Sequence, residues 1–540
     1  MRRHLLAAAA VLALCAPAAQ GIGQSVDRNQ VNRLIDEGTN RSQVVLTAAY
    51  LSDQIGSRLT NSPGMRRAEA WTQAQFTKWG LRNVHKEGFN FGRGWSIERS
   101  SVRMVSPRPI QLTAIPIAWT PATNGTITAP IVVAPMKKEA DFAKYRGQLS
   151  GKIVLVTLPD ALSDEPANSP FKRYTAEDIA KQDVYREAPY DPAAADRRLK
   201  RLDYARKMDA FLKAEGAVAW AQMSRNDGKL IHGEGYLFGA NETPSLPAVE
   251  IAAEDYRRLA RLAKIGAAPT LEIASDVRFD DSDRQAYNIL AEIPGSDPKA
   301  GYVMAGAHLD SWVAGDGAAD NGAGTAMIME AARILSASGV RPKRTIRFAL
   351  WAGEEQGLLG SMAYVSQHLA TRGPANAPQA TGMASYYGFS SRWPITPKPG
   401  YADLAAYFNL DNGSGKVRGI YAENNAAVVP IFNEWLSPFK AMGAGAVVMG
   451  RTGGTDHVFL QQIGLPGFQF IQDPLDYGSR VHHTSIDTFD HLRPDDMRQA
   501  SIILASFLLN AANADKALPR QPLPTEPVVT DPFKYADDED

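Results

Sequence analysis

Cysteine is nearly absent from this 540-residue chain: Cys15 is the only one, so no disulfide can form within it. Stability must then rest on packing and on bound groups. An excess of either charge is missing too, with 58 Lys plus Arg against 58 Asp plus Glu. No basic surplus is available to hold nucleic acid or an anionic membrane. Apolar residues run from Leu5 to Leu14, too short a stretch to span a bilayer as a helix, so no stable membrane insertion is expected. What is present is ordinary for a globular protein, with 44% hydrophobic and 21% charged residues. The length favours two domains over one.

Arg2, Arg3 and His4, the apolar run after them and the small residues from Ala16 to Gly21 form the pattern of a secretory signal. Residues 1–21 are therefore expected to be a removable signal peptide, and the protein to be secreted or periplasmic in a bacterium. Leu14 suits lipoprotein processing at Cys15 poorly, so no lipid anchor is expected.

The chemistry gathers in HLDSWVAGDGAADNGAG, from His308 to Gly324. This glycine-rich loop lies between the apolar run YVMAGA and TAMIMEAARIL, which has helical spacing. Loops at the carboxyl ends of strands are where open α/β sheets place their ligand sites. His308, Asp310, Asp316 and Asp320 stand in the loop, and imidazole with carboxylate suits zinc or a similar divalent metal. Further ligand-type groups follow other strand-like runs: Glu354 and Glu355 in WAGEEQGLLGS, Asp411 in FNLDNG, and His482 and His483 in HHTSIDT.

HLDSW, ADNGAG, WAGEEQGLLGS, FNLDNG and HHTSIDT, in that order, resemble the signatures of metallopeptidase family 28, the two-zinc exopeptidases. The likeness runs from about Val31 to Ala514. It implies a three-layer α/β/α sandwich with a mixed, mostly parallel sheet, interrupted by a smaller β-rich protease-associated (PA) domain. The expected divisions are 26–119 for the first part of the peptidase domain, 120–281 for the insert, 282–515 for the catalytic domain and 516–540 for an extended or disordered tail. Short β-branched runs such as TAPIVVAP and LSGKIVLVTLP mark the insert.

The resemblance also implies roles. Asp320 would bridge two Zn2+ ions, His308 and Asp411 would complete one, and Glu355 and His483 the other. Glu354 would be the general base, and Asp310 would accept the second ring N–H of His308. A cis peptide is implied between Asp320 and Asn321. His483 is preferred to His482 by its place before the Thr, and Asp456 and His457 in GGTDHVF resemble a segment that supports the ligands. His85, His232, His368 and His491 lack ligand-like company and read as structural or surface residues.

The activity expected is that of an exopeptidase acting at the amino terminus of peptides or on dipeptides. Asp310, Asp316, Asp473 and Asp476 near the motifs outnumber Arg451 and Arg480, which favours a cationic amine as the group recognised. A carboxypeptidase of the glutamate carboxypeptidase type, a glutaminyl cyclase and a non-catalytic binding protein on the same scaffold are the alternatives. Peptides are the expected partners, and a homodimer is left open.

Overall fold

The computed structural model describes residues 26–160, 171–185, 193–235, 241–373, 385, 388–389 and 392–525. The signal peptide expected at 1–21, Cys15 and the end of the tail lie outside them. Among the described residues no helix is long and apolar enough to cross a membrane.

The larger domain is an α/β/α sandwich, as expected. Its eight-stranded sheet runs in the order Arg82–Asn90, Gln285–Ile293, Thr345–Trp351, Tyr302–His308, Leu404–Asn409, Gly467–Gln472, Val417–Tyr421, Ala446–Val448. The four strands from Thr345–Trp351 to Gly467–Gln472 are parallel neighbours, and the pairs toward the first edge are antiparallel. Tyr302–His308 and Leu404–Asn409 are buried throughout, which is why they read as unbroken apolar runs rather than alternating ones. Because the four strands point the same way, His308, the turn after Trp351, Asp411 and the segment beyond Gln472 emerge at one end of the sheet.

Helix Ala323–Ala337 is buried over its first 13 residues, since it lies between the sheet, helix Pro494–Asn513 and the N-terminal helices. Its polar members are satisfied inside that layer. Arg333 donates to Glu330 at 2.9 Å and to Glu37 at 2.6 Å. Removing either glutamate would leave a buried guanidinium half paired. Helix Pro494–Asn513 begins with Pro at its first turn and Asp495 and Asp496 beside it, a start that suits the missing N–H bonds and the helix dipole.

The second domain is built on another eight-stranded sheet, in the order Ile110–Gln111, Gly94–Ser106, Thr270–Asp280, Thr126–Val133, Ile153–Leu155, Ala219–Met223, Ala248–Ile251, Ala114–Pro116. Gly94–Ser106, which lies before the boundary expected at residue 120, is a strand of this second sheet. Gly94–Ser106 pairs antiparallel with Thr270–Asp280 along nearly its whole length, a ladder that no local pattern announces. Residues 516–525 have no helix or strand, yet they are anchored to the larger domain. Leu518 is buried and its N–H donates to the Ala405 carbonyl, while Arg520 donates to the Leu404 carbonyl.

Arg58 ties the N-terminal segment to the loop after His308. Fully buried, its guanidinium donates to the carbonyls of Leu51, Gly56, Leu309, Asp316 and Gly317. Nothing in IGSRLT singles it out in the sequence. Arg58→Met should lower the unfolding free energy by about 3–5 kcal/mol, because several buried carbonyls lose their donor together. Urea unfolding measures it, and a loss below about 1 kcal/mol would show that those carbonyls find other donors.

Candidate metal centre

His308 ends its strand fully buried, and its Nδ1 faces the backbone carbonyl of Asp310 at 3.0 Å. The Nδ1–H is thereby used, and Nε2 turns to Asp320 Oδ1 and Asp411 Oδ1, each at 3.3 Å. On the other side of Asp320, His483 Nε2 lies 3.2 Å from Oδ2 and 2.9 Å from Glu355 Oε2. The two oxygens of one carboxylate thus face two separate sets of donors.

A neutral imidazole whose Nδ1 carries the hydrogen presents a lone pair at Nε2. Carboxylates and ring nitrogens at these distances repel unless positive charge, from a proton on the ring or from a metal ion, lies between them. Glu354 is buried beside them, and Asp320 Oδ2 and Glu355 Oε1 accept no hydrogen bond among the described residues. His308, Asp320 and Asp411 have ligand atoms close enough for one ion, and so do Asp320, His482 and His483. Oxygen and imidazole nitrogen donors in this number fit divalent cations of the zinc type.

The protonation balance follows from burial. Burial works to raise the Asp320 carboxyl, but the neighbouring His308 and His483 outweigh it and hold the group well below the usual range. Burial also pushes Glu355 up to about 7 against the pull of His483, with Asp320 adding to the rise. Glu354 is driven well above the usual carboxyl range, first by burial, with His308 opposing and the charges of Asp411, Asp456 and Glu355 reinforcing it.

The role expected for Asp310 is corrected. Its carboxylate is 3.8 Å from His308 Nδ1, and the backbone carbonyl of the same residue takes that bond. The carboxylate instead accepts the Glu354 and Glu355 N–H groups, both at 3.3 Å, and the Thr60 hydroxyl at 3.0 Å. Asp310 therefore grips the turn that carries both glutamates. Its side chain touches backbone, and the imidazole is oriented by the main chain.

His482 is nearer solvent than His483 and farther from the bridging position, with Nε2 3.6 Å from Asp320 Oδ2. Its ring stacks on that of His483 at 3.7 Å between centroids. Asp456 and His457 are fully buried. Burial pushes Asp456 up to about 8, with His308 opposing. The Asp320–Asn321 peptide is cis. His232 pairs with Glu250 inside the insert, and His85, His368 and His491 face Glu87, Glu87 and Asp476.

Two supporting residues were not anticipated. Asp487, inside the quoted HHTSIDT motif, accepts the N–H groups of Ala319 at 2.6 Å and Asp320 at 3.1 Å and so fixes the bridging residue's backbone. Glu234, from the insert, accepts from His483 Nδ1 at 2.7 Å. The only hint of it is a glutamate between two glycines in HGEG. The cleft at these groups measures about 350 Å³ and is lined by Asp320, Glu354, Glu355, Asp411, Tyr477, His482 and His483 together with Gly453 to Thr455.

This donor set at the strand ends of an α/β/α sandwich is suited to holding divalent metal. Residues 288–508 match the model of peptidase family M28. It is 27% identical to Carboxypeptidase Q of Bos taurus over 476 residues, 87% of this chain and 86% of that protein. Over a shorter stretch, 23% of the chain, it is 37% identical to leupeptin-inactivating enzyme 1 of Streptomyces exfoliatus. Among solved structures, a peptidase M28 precursor from Shewanella amazonensis superposes with a TM-score of 0.62 at 24% identity, covering 92% of this chain and 99% of that one. A zinc aminopeptidase from Bacillus subtilis does so with a TM-score of 0.56 at 19% identity, covering 89% and 97%.

Proposed function

We propose that the protein is an exported, zinc-dependent exopeptidase that cleaves at the free amino terminus of peptides or within dipeptides. The observation that carries this reading is the division of Asp320, with Oδ1 toward His308 and Oδ2 toward His483 and each side completed by a further carboxylate. His308, Asp411 and one oxygen of Asp320 would hold one zinc; Glu355, His483 and the other oxygen would hold a second. Bound there, zinc supplies Lewis acidity that polarises the scissile carbonyl and makes water acidic enough to attack near neutral pH.

The protein's own groups do the rest. Glu354 lines the cleft without being needed as a ligand, so its carboxylate is placed to take a proton from the attacking water and return it to the leaving amine. Asp310 keeps it there by holding its backbone N–H. Adjacent glutamates on one tight turn, closed by the Glu354 carbonyl accepting from Gly357 and Leu358 at 2.8 Å, can thus serve two different tasks. The cleft volume suits a small ligand or the end of a peptide. The names of the relatives point to both ends of a substrate, and the described lining residues, with no Lys or Arg among them, support the amino end.

Chelation tests the reading. Dialysis against a strong chelator should abolish hydrolysis of short peptides, and added Zn2+ should restore it. Full activity in protein shown to be metal-free would overturn the assignment.

A further inference from the structure

A loop of the insert reaches the metal centre. After strand Ala219–Met223 the chain turns back over residues 224–235, and the turn is closed by its own side chains. The Ser224 hydroxyl donates to the Leu230 carbonyl at 2.7 Å, and Arg225 grips both oxygens of Glu234 at 2.6 and 2.9 Å. Behind it the buried His232 and Glu250 meet at 2.9 Å, and the His232 N–H donates to the same carboxylate at 2.8 Å. The loop tip is joined to the catalytic domain by the Ser485 N–H donating to the Ile231 carbonyl at 2.9 Å.

Glycines on both sides of Glu234 permit this approach. Gly233 has a φ of +67°, and a Cβ there would sit 3.1 Å from both Ile115 and Val313. A Cβ on Gly235 would come within 2.7 Å of the Trp119 ring. Seated this closely, Glu234 is buried and its Oε1 meets His483 Nδ1. A carboxylate can only accept here, so the imidazole must carry its hydrogen on Nδ1 and turn the Nε2 lone pair toward Asp320 and Glu355. His308 is oriented by a neutral carbonyl, whereas His483 is oriented by a carboxylate from the other domain.

We propose that Glu234 is a positioning residue for the metal ligand His483, which makes the insert a structural part of the metal centre. The inference rests on the zinc-site reading above. Outer-sphere carboxylates of this kind fix the tautomer and strengthen the ligand, and losing one typically costs 10–100-fold in metal affinity.

Titrating metal-stripped, full-length protein with Co2+ and following its visible absorption tests the proposal without relying on activity. Wild type should take up two ions. Glu234→Ala should weaken one of them by about 10–100-fold and leave the other unchanged. Glu234→Gln, which keeps the loop's shape and an accepting oxygen, should weaken the same ion by a smaller factor, and it carries the test if the alanine variant does not fold. In a His483→Ala background, Glu234→Ala should cost nothing further, because the contact it serves is already gone. Unchanged affinity in the Glu234 variants, equal weakening of both ions, or a full extra loss in the His483→Ala background would overturn the proposal. A wild-type protein that binds no Co2+ would instead overturn the metal site itself.

Discussion

Glu354→Gln should bind zinc as wild type does while turning over at least about a hundredfold more slowly, the scale of a lost general base. The amide matches the carboxylate in size, so the cleft keeps its shape and the Asp310 grip on the backbone is undisturbed. It cannot take up a proton. That capacity is what the substitution deletes. Asp320→Ala is the matched control. It removes the one carboxylate that faces both donor sets, so metal content should fall together with activity. Metal analysis beside steady-state kinetics separates the two. Equal metal loss in both variants would show that Glu354 is a ligand, and the division between base and ligand would fail.

These tests can be designed because the ligand-type residues were legible in the sequence. Each follows a run of apolar or β-branched residues, and in a sheet whose central strands are parallel such residues must emerge at one end. Periodicity and motif order therefore placed His308, Glu355 and Asp411 together without knowledge of side-chain directions. Asp310 was misread because closeness in sequence was taken for contact between side chains. The chain turns after His308 so that a carbonyl, and not the carboxylate, meets the ring. Glu234 was invisible for the opposite reason: it meets His483 across 249 residues and a domain boundary. The ladder between Gly94–Ser106 and Thr270–Asp280 is equally non-local, and no local pattern assigns the first strand to the second sheet. Arg58 bonds to backbone carbonyls, and carbonyls leave no trace in a sequence.

Acetylating the amino terminus of a good dipeptide or short peptide substrate should abolish cleavage, while amidating its carboxyl end should cost much less. Asp310, Asp316, Asp473 and Asp476 outnumber Arg451 and Arg480 in the sequence, yet none of the six lines the cleft. Asp310 is used on backbone, Asp473 is buried against Arg173 and Arg418, and Asp476 meets His491 at 2.8 Å. Asp316 does not line the cleft, and Arg451 and Arg480 are exposed and are not among its lining residues. What remains is the lining itself, whose charged members among the described residues are Asp320, Glu354, Glu355 and Asp411 beside the two histidines. With zinc bound, Asp320, Glu355 and Asp411 are spent as ligands, so the discrimination rests on the lining: no guanidinium or ammonium among the described lining residues would meet a substrate carboxylate. Acetylation removes the charge of the free amino terminus and adds bulk at the same point, so both terms act against binding. Comparing kcat/KM for free, acetylated and amidated forms of one peptide measures the effect. Loss on amidation with acetylation tolerated would overturn the aminopeptidase reading and leave a metallo-carboxypeptidase on the same metal centre.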